Sequence, residues 1–357
     1  MKLAFFFVVI ECINMAKKVK LGTKWVGEGE PMYIIAEGGL TNWGDIELAK
    51  KQVDAAMAAG ADCIKFQAQT TEALVSKKVD PYWYSRLKYK ELSWDNLREL
   101  RDYCDVRNID FFVTAHTDVD LDFLDKELNI PFVKVGSGES INYDFLKNVG
   151  SRGKPVVISL GLHMTDEEVL KSIKTLEDAG TKDIVVLHCN TVYPTPPEIN
   201  HLSYITHLKK LLPDYPIGYS DHTVGWHIPL ASVALGARVL EKHLSFDKSD
   251  MRSFDCPGSC TPEDQKLMVK QIREVEAALA QPTDLRKQKI ENARLWAQQS
   301  IVAGKAISAG TKITRDLLMF KRPGKGGLAP DMAEKIIGKT TNAPIEEDEQ
   351  IQLEHLA

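Results

Sequence analysis

Eight short apolar runs follow one another through residues 33–243: Tyr33–Glu37, Asp62–Gln67, Asp110–Thr114, Phe132–Gly136, Pro155–Leu160, Asp183–Cys189, Pro216–Ser220 and Arg238–His243. They are rich in β-branched residues and continuous in apolar character, which a strand needs when it is covered on both faces. Between most of them lie amphipathic stretches with helical spacing, such as Ile46–Ala59, Trp94–Asn108, Asp118–Leu128, Asp166–Ala179 and Ile228–Leu235, and Pro262–Leu279 reads as the eighth helix. Thr165 followed by Asp166, Glu167 and Glu168 is an N-cap with a favourably charged first turn. Gly60 and Gly180 stand where helices close. Eight strands alternating with helices over about 250 residues predict a (β/α)₈ TIM barrel. An open doubly wound sheet is the alternative, but no G-x-G-x-x-G follows an early strand.

The barrel is expected over residues 15–280. Residues 281–299 are polar and read as a linker. From residue 300 to 357 the text becomes short, with frequent glycines, which fits a small, turn-rich, mostly β module. Residues 1–14 read as a dispensable or misassigned extension. Leu3–Ile10 behind Lys2 faintly imitates a signal peptide, but no small-x-small cleavage site follows, and Met15 opens MAKKVKLG like a cytosolic start. Across 357 residues, 45 Lys and Arg against 50 Asp and Glu give a formal charge of −5, which offers no basic field for nucleic acid. No apolar run reaches the roughly 18 to 20 residues of a membrane span. Six cysteines are too sparse for a disulfide scaffold and read as reduced thiols. The expectation is a soluble, cytoplasmic protein.

In a barrel, residues at the C-terminal ends of the strands face the active site. Here those ends carry Glu37; Lys65 and Gln67; Thr114 and His116; Lys134, Ser137 and Glu139; Ser159; His188, Asn190 and Thr191; Asp221 and His222; and Glu241, Lys242 and His243. His222 and His243 end consecutive strands, which lie about 4.8 Å apart, so two imidazoles there can share one metal. Two separately hydrogen-bonded histidines satisfy the same spacing. Lys65 and Lys134 fit an anion clamp completed by the Ser137 and Ser159 hydroxyls. They also fit a Schiff-base site, or structural pairing with carboxylates. Glycines in Val135–Gly138 would let backbone amides approach an anion, or simply make a tight turn. Cys256 and Cys260 form a lone C-x₃-C, a weak thiolate signal.

Lys65–Gln67 (KFQ), Lys134–Glu139 (KVGSGE), Leu187–Pro196 (LHCNTVYPTP), Ser220–Thr223 (SDHT), Glu241–His243 (EKH) and Lys321–Gly324 (KRPG) together resemble the sialic acid synthase family, in order across both expected domains. The resemblance implies condensation of phosphoenolpyruvate with an N-acetylmannosamine-type amino sugar, giving a nine-carbon 3-deoxy-2-keto acid and phosphate. It implies a metal-bearing (β/α)₈ barrel and a C-terminal antifreeze-like (SAF, β-clip) domain. His222 and His243 would be metal ligands. Lys65, Lys134, Ser137 and Ser159 would hold phosphoenolpyruvate near Thr114 and Thr191, while Glu37, Gln67, Glu139, Tyr193 and Asp255 would face the sugar. Glu37 is the expected group for orienting the sugar and moving its proton, and it joins Lys65 and Lys134 as the expected catalytic set. The metal is expected to be Mn²⁺, with Mg²⁺ or Co²⁺ as alternatives. The family's homodimers imply that Arg322 reaches the partner's barrel. Two departures stand out: Asn190 and Thr191 are swapped, and Ala36–Asp45 (AEGGLTNWGD) carries Trp43 where relatives have a His-Asn pair. A legionaminic or pseudaminic acid synthase is the rival enzyme, and a non-catalytic sugar-binding protein the rival from another class.

Overall fold

The computed structural model describes residues 17–281 and 283–357; the extension expected at 1–14 lies outside them. The chain divides into two compact units, the second running from Ala280 to Ala357. The first unit opens with an antiparallel hairpin, β1 (Val19–Leu21) and β2 (Lys24–Val26). Eight parallel strands follow: β3 (Tyr33–Gly39), β4 (Cys63–Ala68), β5 (Asp110–Ala115), β6 (Val133–Val135), β7 (Val156–Ser159), β8 (Ile184–Cys189), β9 (Ile217–Asp221) and β10 (Val239–His243). They close in sequence order, with β10 pairing β3. The first unit is a TIM barrel, and each of the eight apolar runs forms one of its strands.

Strand parity explains the two cores. One face of the strands, with Ile34, Ile64, Val113, Val135, Ile158, Val186 and Leu240, packs outward against the helices. The other, with Tyr33, Ile35, Cys63, Phe112, Phe132, Val157, Val185, Leu187 and Val239, fills the interior. Val19, Leu21 and Val26 of the hairpin join that interior cluster. The helices start and stop where their caps dictate. Thr165 accepts a hydrogen bond from the Glu168 N–H, Asp45 accepts from Glu47 and Leu48, and Gly60 ends its helix at φ 80°. Two short helices, Thr71–Leu74 and Pro81–Lys88, lengthen the connection after β4. Among the described residues no helix is long and apolar enough to cross a membrane, and the five described cysteines are free.

The second unit differs from expectation at its start. The polar stretch read as a linker forms a helix, Asp284–Ala297, preceded by Thr283 as N-cap residue. Its Lys, Arg, Glu, Gln and Ala content is strongly helix-forming although no residue in it is buried. Beyond it, β11 (Ser300–Ala303) pairs antiparallel with β12 (Leu318–Lys321), and isolated bridges join Val302 to Gln350 and Ile307 to Ile345. A small core of Ile301, Ile307, Ile313, Ile336, Ile345 and Ile351 holds this unit together.

The interior is tight enough to test. A Cβ at Gly218 would lie 2.5 Å from Leu187 Cδ2 and 2.7 Å from the Val239 carbonyl. Gly218→Ala should therefore cost about 1–3 kcal/mol by overpacking, read as a lowered urea midpoint at unchanged m-value.

Candidate active site

Towards the C-terminal ends of the strands the inward positions change from apolar to polar. The same parity that buries Tyr33 and Ile35 delivers Glu37; Cys63 is followed by Lys65 and Gln67; Phe112 by Thr114; Phe132 by Lys134; Val157 by Ser159; and Val239 by Glu241 and His243. A cavity of about 630 Å³ opens at this end, ample for two small ligands. Of the fourteen residues given a catalytic, binding or metal role from sequence, twelve line it: Lys65, Gln67, Thr114, Lys134, Ser137, Glu139, Ser159, Thr191, Tyr193, His222, His243 and Asp255. Glu37 does not. It is 0% exposed, beneath Lys65, with which it forms an ion pair, and beside Gln67, whose Nε2 donates to Glu37 Oε1 at 3.1 Å. Arg322 is exposed and belongs to the second unit.

The cavity floor is a chain of buried charges. Lys65 Nζ donates to Thr114 Oγ1 at 2.9 Å and lies 3.6 Å from Glu241 Oε2. Lys134 Nζ donates to Ser159 Oγ at 2.8 Å and lies 3.8 Å from Glu241 Oε1, which accepts from Ser220 Oγ at 3.0 Å. Burial opposes the charge on Glu241, but Lys134 and Lys65 outweigh it and hold the carboxyl down at about 2. Burial likewise opposes the charge on Lys65, and Glu241 and Glu37 reverse that and raise it. Lys134 is lowered, by burial first and by Lys65 in addition, against the pull of Glu241. Glu37 is raised because burial outweighs Lys65. Lys134 is thus the ammonium with the weakest internal compensation, and an anion in the cavity would supply what it lacks.

The histidine rings of β9 and β10 sit 5.3 Å apart, centroid to centroid, with the Tyr193 ring 4.1 Å from His222. His222 Nδ1–H donates to the Asn190 carbonyl at 2.7 Å, which fixes the tautomer and leaves the Nε2 lone pair free. Burial, against the pull of Asp255, pushes His243 down to about 4, so its imidazole is neutral. His243 Nε2 is 4.0 Å from Asp255 Oδ1. Among the described residues no three His, Cys, Asp or Glu side chains converge on one point. Two imidazoles beside a cavity that admits water and ligand oxygens still fit a transition ion with open positions. Behind them, Lys242 and Asp221 form a fully buried ion pair between the two strands, and Asp221 also accepts from Tyr219 OH at 2.6 Å and Thr223 Oγ1 at 2.8 Å.

The swapped pair resolves clearly: Thr191 lines the cavity, while Asn190 Nδ2 donates away from it to the Asn200 carbonyl at 2.9 Å. Cys256 and Cys260 are buried, and burial raises both thiols. The strand-end pattern of the sequence includes Glu241 but gives it no role, although it stands two residues before His243 on the inward face. It likewise includes His116, two residues beyond Thr114, without a role; the His116 Nδ1 lies 3.1 Å from Glu139 Oε1. Lys90 escaped notice altogether. Asp80-Pro81, an N-cap followed by proline at N1, signalled the helix that leads to it.

Fold and site together define a (β/α)₈ barrel with a small-molecule site at the carboxyl ends of its strands. The NeuB family model matches residues 52–284, and the SAF domain model residues 298–357. An uncharacterised protein of Methanocaldococcus jannaschii is 42% identical over 87% of this chain and 90% of its own. A Mus musculus protein named N-acetylneuraminate-9-phosphate synthase is 36% identical over 93% of this chain and 94% of its own. The crystal structure of an N-acetylneuraminic acid (sialic acid) synthetase from Leptospira borgpetersenii, in complex with citrate, superposes with a TM-score of 0.71 at 29% identity, over 78% of this chain and 97% of that one. The chain belongs to the NeuB family and carries a C-terminal SAF domain.

The neutral, buried His243 makes a pH prediction. Its imidazole falls from an ordinary 6.5 to about 4 on folding, so between those values the unfolded chain binds a proton that the folded one does not. Stability contributed by this group is complete above about pH 6.5 and declines as pH falls towards 4. The urea midpoint of metal-free protein should drop through that window, and His243→Gln should flatten the drop. An unchanged slope in the variant contradicts the assignment.

Proposed function

We propose that this chain condenses phosphoenolpyruvate with an N-acyl amino sugar, giving a nine-carbon 3-deoxy-2-keto acid and phosphate. The observation that carries the reading is that Lys65, Lys134 and Ser159 on β4, β6 and β7 share one cavity with His222 and His243 at the ends of β9 and β10. A cation clamp for a phosphate-bearing acid and a metal-competent imidazole pair for an aldehyde are the two halves such a condensation needs. Family membership supports the same chemistry.

In this reading Lys65, Lys134, Ser137 and Ser159 hold phosphoenolpyruvate with its C3 facing the aldehyde carbon of the open-chain sugar. A divalent ion on His222 and His243, Mn²⁺ by the preference of imidazole nitrogen, supplies Lewis-acid polarisation of the aldehyde oxygen. Lys134 and Ser159 also meet the charge on the phosphate that leaves by C–O cleavage after water adds at C2. Gln67, Glu139, Tyr193 and Asp255 orient the sugar. Glu37, shut off from the cavity by Lys65 and Gln67, becomes a positioning carboxylate that fixes where the Lys65 ammonium stands. This replaces the direct sugar contact expected for it from sequence. Trp43 in the first loop supports an acceptor that differs from N-acetylmannosamine in its substituents, legionaminic- and pseudaminic-type precursors included. The ion pairing of both lysines argues against a non-catalytic binder, since such a role gives no reason to bury them.

The deciding assay is phosphate release from phosphoenolpyruvate with Mn²⁺ and a panel of N-acyl amino sugars. His222→Ala or His243→Ala should weaken Mn²⁺ binding by more than the roughly 10- to 100-fold that losing a group behind a ligand costs, with the barrel still folded by circular dichroism. Full turnover in exhaustively metal-free protein overturns the Lewis-acid role. Lys134→Ala should raise KM for phosphoenolpyruvate roughly 10- to 100-fold, as expected for lost charged hydrogen bonds, with sugar KM little changed. Borohydride should trap no adduct on either lysine.

We extend the proposal to a homodimer in which the tail acts on the partner's barrel. Arg322 is exposed, its guanidinium makes no ion pair among the described residues, and its rigid fork suits a polyoxygenated ligand. Mixing Arg322→Ala with His222→Ala subunits should restore one working site per heterodimer. No recovery, with subunit exchange confirmed, means that the tail does not act in trans.

A further inference from the structure

A polar cluster that does not line the cavity takes no part in the chemistry proposed above. His163 is half-buried in the loop after β7. Ser140, in the loop after β6, and Ser172, on the helix Asp166–Ala179, are both 0% exposed. None of the three lines the cavity. Their hydrogens can be assigned by counting. A serine hydroxyl donates once, and Ser172 Oγ donates to the Ser140 carbonyl at 2.8 Å. His163 Nε2, 2.8 Å from Ser172 Oγ, is therefore the donor in that contact. Nδ1 keeps the lone pair and faces Ser140 Oγ at 3.5 Å. Ser140 Oγ in turn donates to the Ser137 carbonyl at 2.8 Å. Burial lowers His163 against the pull of Glu168, which agrees with a neutral ring.

The cluster ends on Ser137, whose hydroxyl lines the cavity. Ser137 is held twice by the turn that carries His163. The His163 N–H donates to the Leu160 carbonyl at 3.1 Å and closes that turn. Inside it, the Gly161 N–H donates to Ser137 Oγ at 3.1 Å. A Cβ at Gly161 would stand 2.6 Å from that oxygen and 2.4 Å from Thr191 Oγ1, so only glycine lets the turn come this close. The Ser137 hydroxyl is thus fixed by Gly161, and its carbonyl is fixed through Ser140 against His163. Where the turn sits relative to the loop after β6 decides where the hydroxyl stands. Apolar side chains could fill the same space at lower desolvation cost. A polar network with its hydrogen bonds made specifies one geometry, which apolar packing does less strictly.

We propose that His163 is a positioning residue: wedged between Ser172 and Ser140, it sets the loop after β6 so that the Ser137 hydroxyl meets phosphoenolpyruvate. This rests on the condensation reading and goes beyond it by assigning a residue that touches neither substrate. The test uses the full-length, Mn²⁺-loaded protein, with Kd for phosphoenolpyruvate by calorimetry and KM for both substrates. His163→Phe, which keeps a ring but no nitrogen, should raise Kd and KM for phosphoenolpyruvate roughly 3- to 10-fold, the effect of losing about one neutral hydrogen bond. Sugar KM and kcat should change little. His163→Gln, whose amide N–H can replace the Nε2 donor, should recover most of the affinity. Ser172→Ala should reproduce the loss and add little to it in the double variant, and it carries the test alone if His163→Phe does not fold. Unchanged phosphoenolpyruvate affinity in the folded variants, equal weakening of both substrates, or no recovery in His163→Gln overturns the proposal and leaves the condensation standing. A wild type that binds no phosphoenolpyruvate overturns both.

Discussion

The active end of this barrel depends on one arrangement: Glu37, Lys65, Glu241 and Lys134 set side by side and buried at the cavity floor. Any one of these charges alone would cost several kcal/mol to bury. They are tolerated because parallel strands set them at one level. Glu37 is in register with Lys65 across β3 and β4, and Thr114 with Lys134 across β5 and β6. The pairing is also uneven. Glu37 is given over to Lys65, whereas Glu241 is shared between Lys65 and Lys134, so the sum leaves Lys134 short of negative charge. That shortfall faces the cavity beside Ser159, where a bound anion would offset it.

A second constraint holds the two histidines. They end neighbouring strands, and the buried Lys242–Asp221 pair joins those strands one residue away from each ring, on the opposite face from the cavity. Tyr219 and Thr223 saturate Asp221, and Lys242 also donates to the Thr223 carbonyl at 2.6 Å. Since the pair is completely enclosed, losing one partner would leave an uncompensated charge between the strands and disturb both imidazoles together. The spacing of 5.3 Å between the rings is therefore tied to the strand framework.

Much of this was legible in the sequence, for a physical reason. A barrel strand reports its fold by its apolar run and its site by the polar residues at one end, and two-residue parity sorts those residues into cavity and helix face. Hence twelve residues chosen from strand ends and motifs share one cavity. Parity also explains Glu241, which stands at the same strand end two residues before His243 and whose role only its buried neighbours reveal. Other features are not local. Glu37 has the correct parity, yet its seclusion depends on Lys65, twenty-eight positions later, folding over it. Asn190 and Thr191 exchange roles because the Asn200 carbonyl draws Asn190 away. The helix Asp284–Ala297 buries no residue, so it lacks the apolar stripe by which a helix announces itself, and only its composition distinguishes it from a linker.

The elaborated connection after β4 shows how the barrel separates its strand-borne floor from its loop-borne wall. Strand ends are fixed by neighbours on both sides, so the charged floor and the imidazole pair can hardly move without unpairing the sheet. The helices Thr71–Leu74 and Pro81–Lys88 are under no such restraint. They bring Trp83, Leu87 and Lys90 to the cavity wall, where they meet Trp43 from the loop after β3 and Phe254 from the loop after β10. Every group that distinguishes this wall belongs to a loop or short helix, while the floor's charged groups Glu37, Lys65, Lys134 and Glu241 all belong to strands. Changing the acceptor then requires altering only the loops, while the groups assigned to phosphoenolpyruvate and the metal stay in place. That division puts Trp43 in a loop above a floor of strand-borne charges.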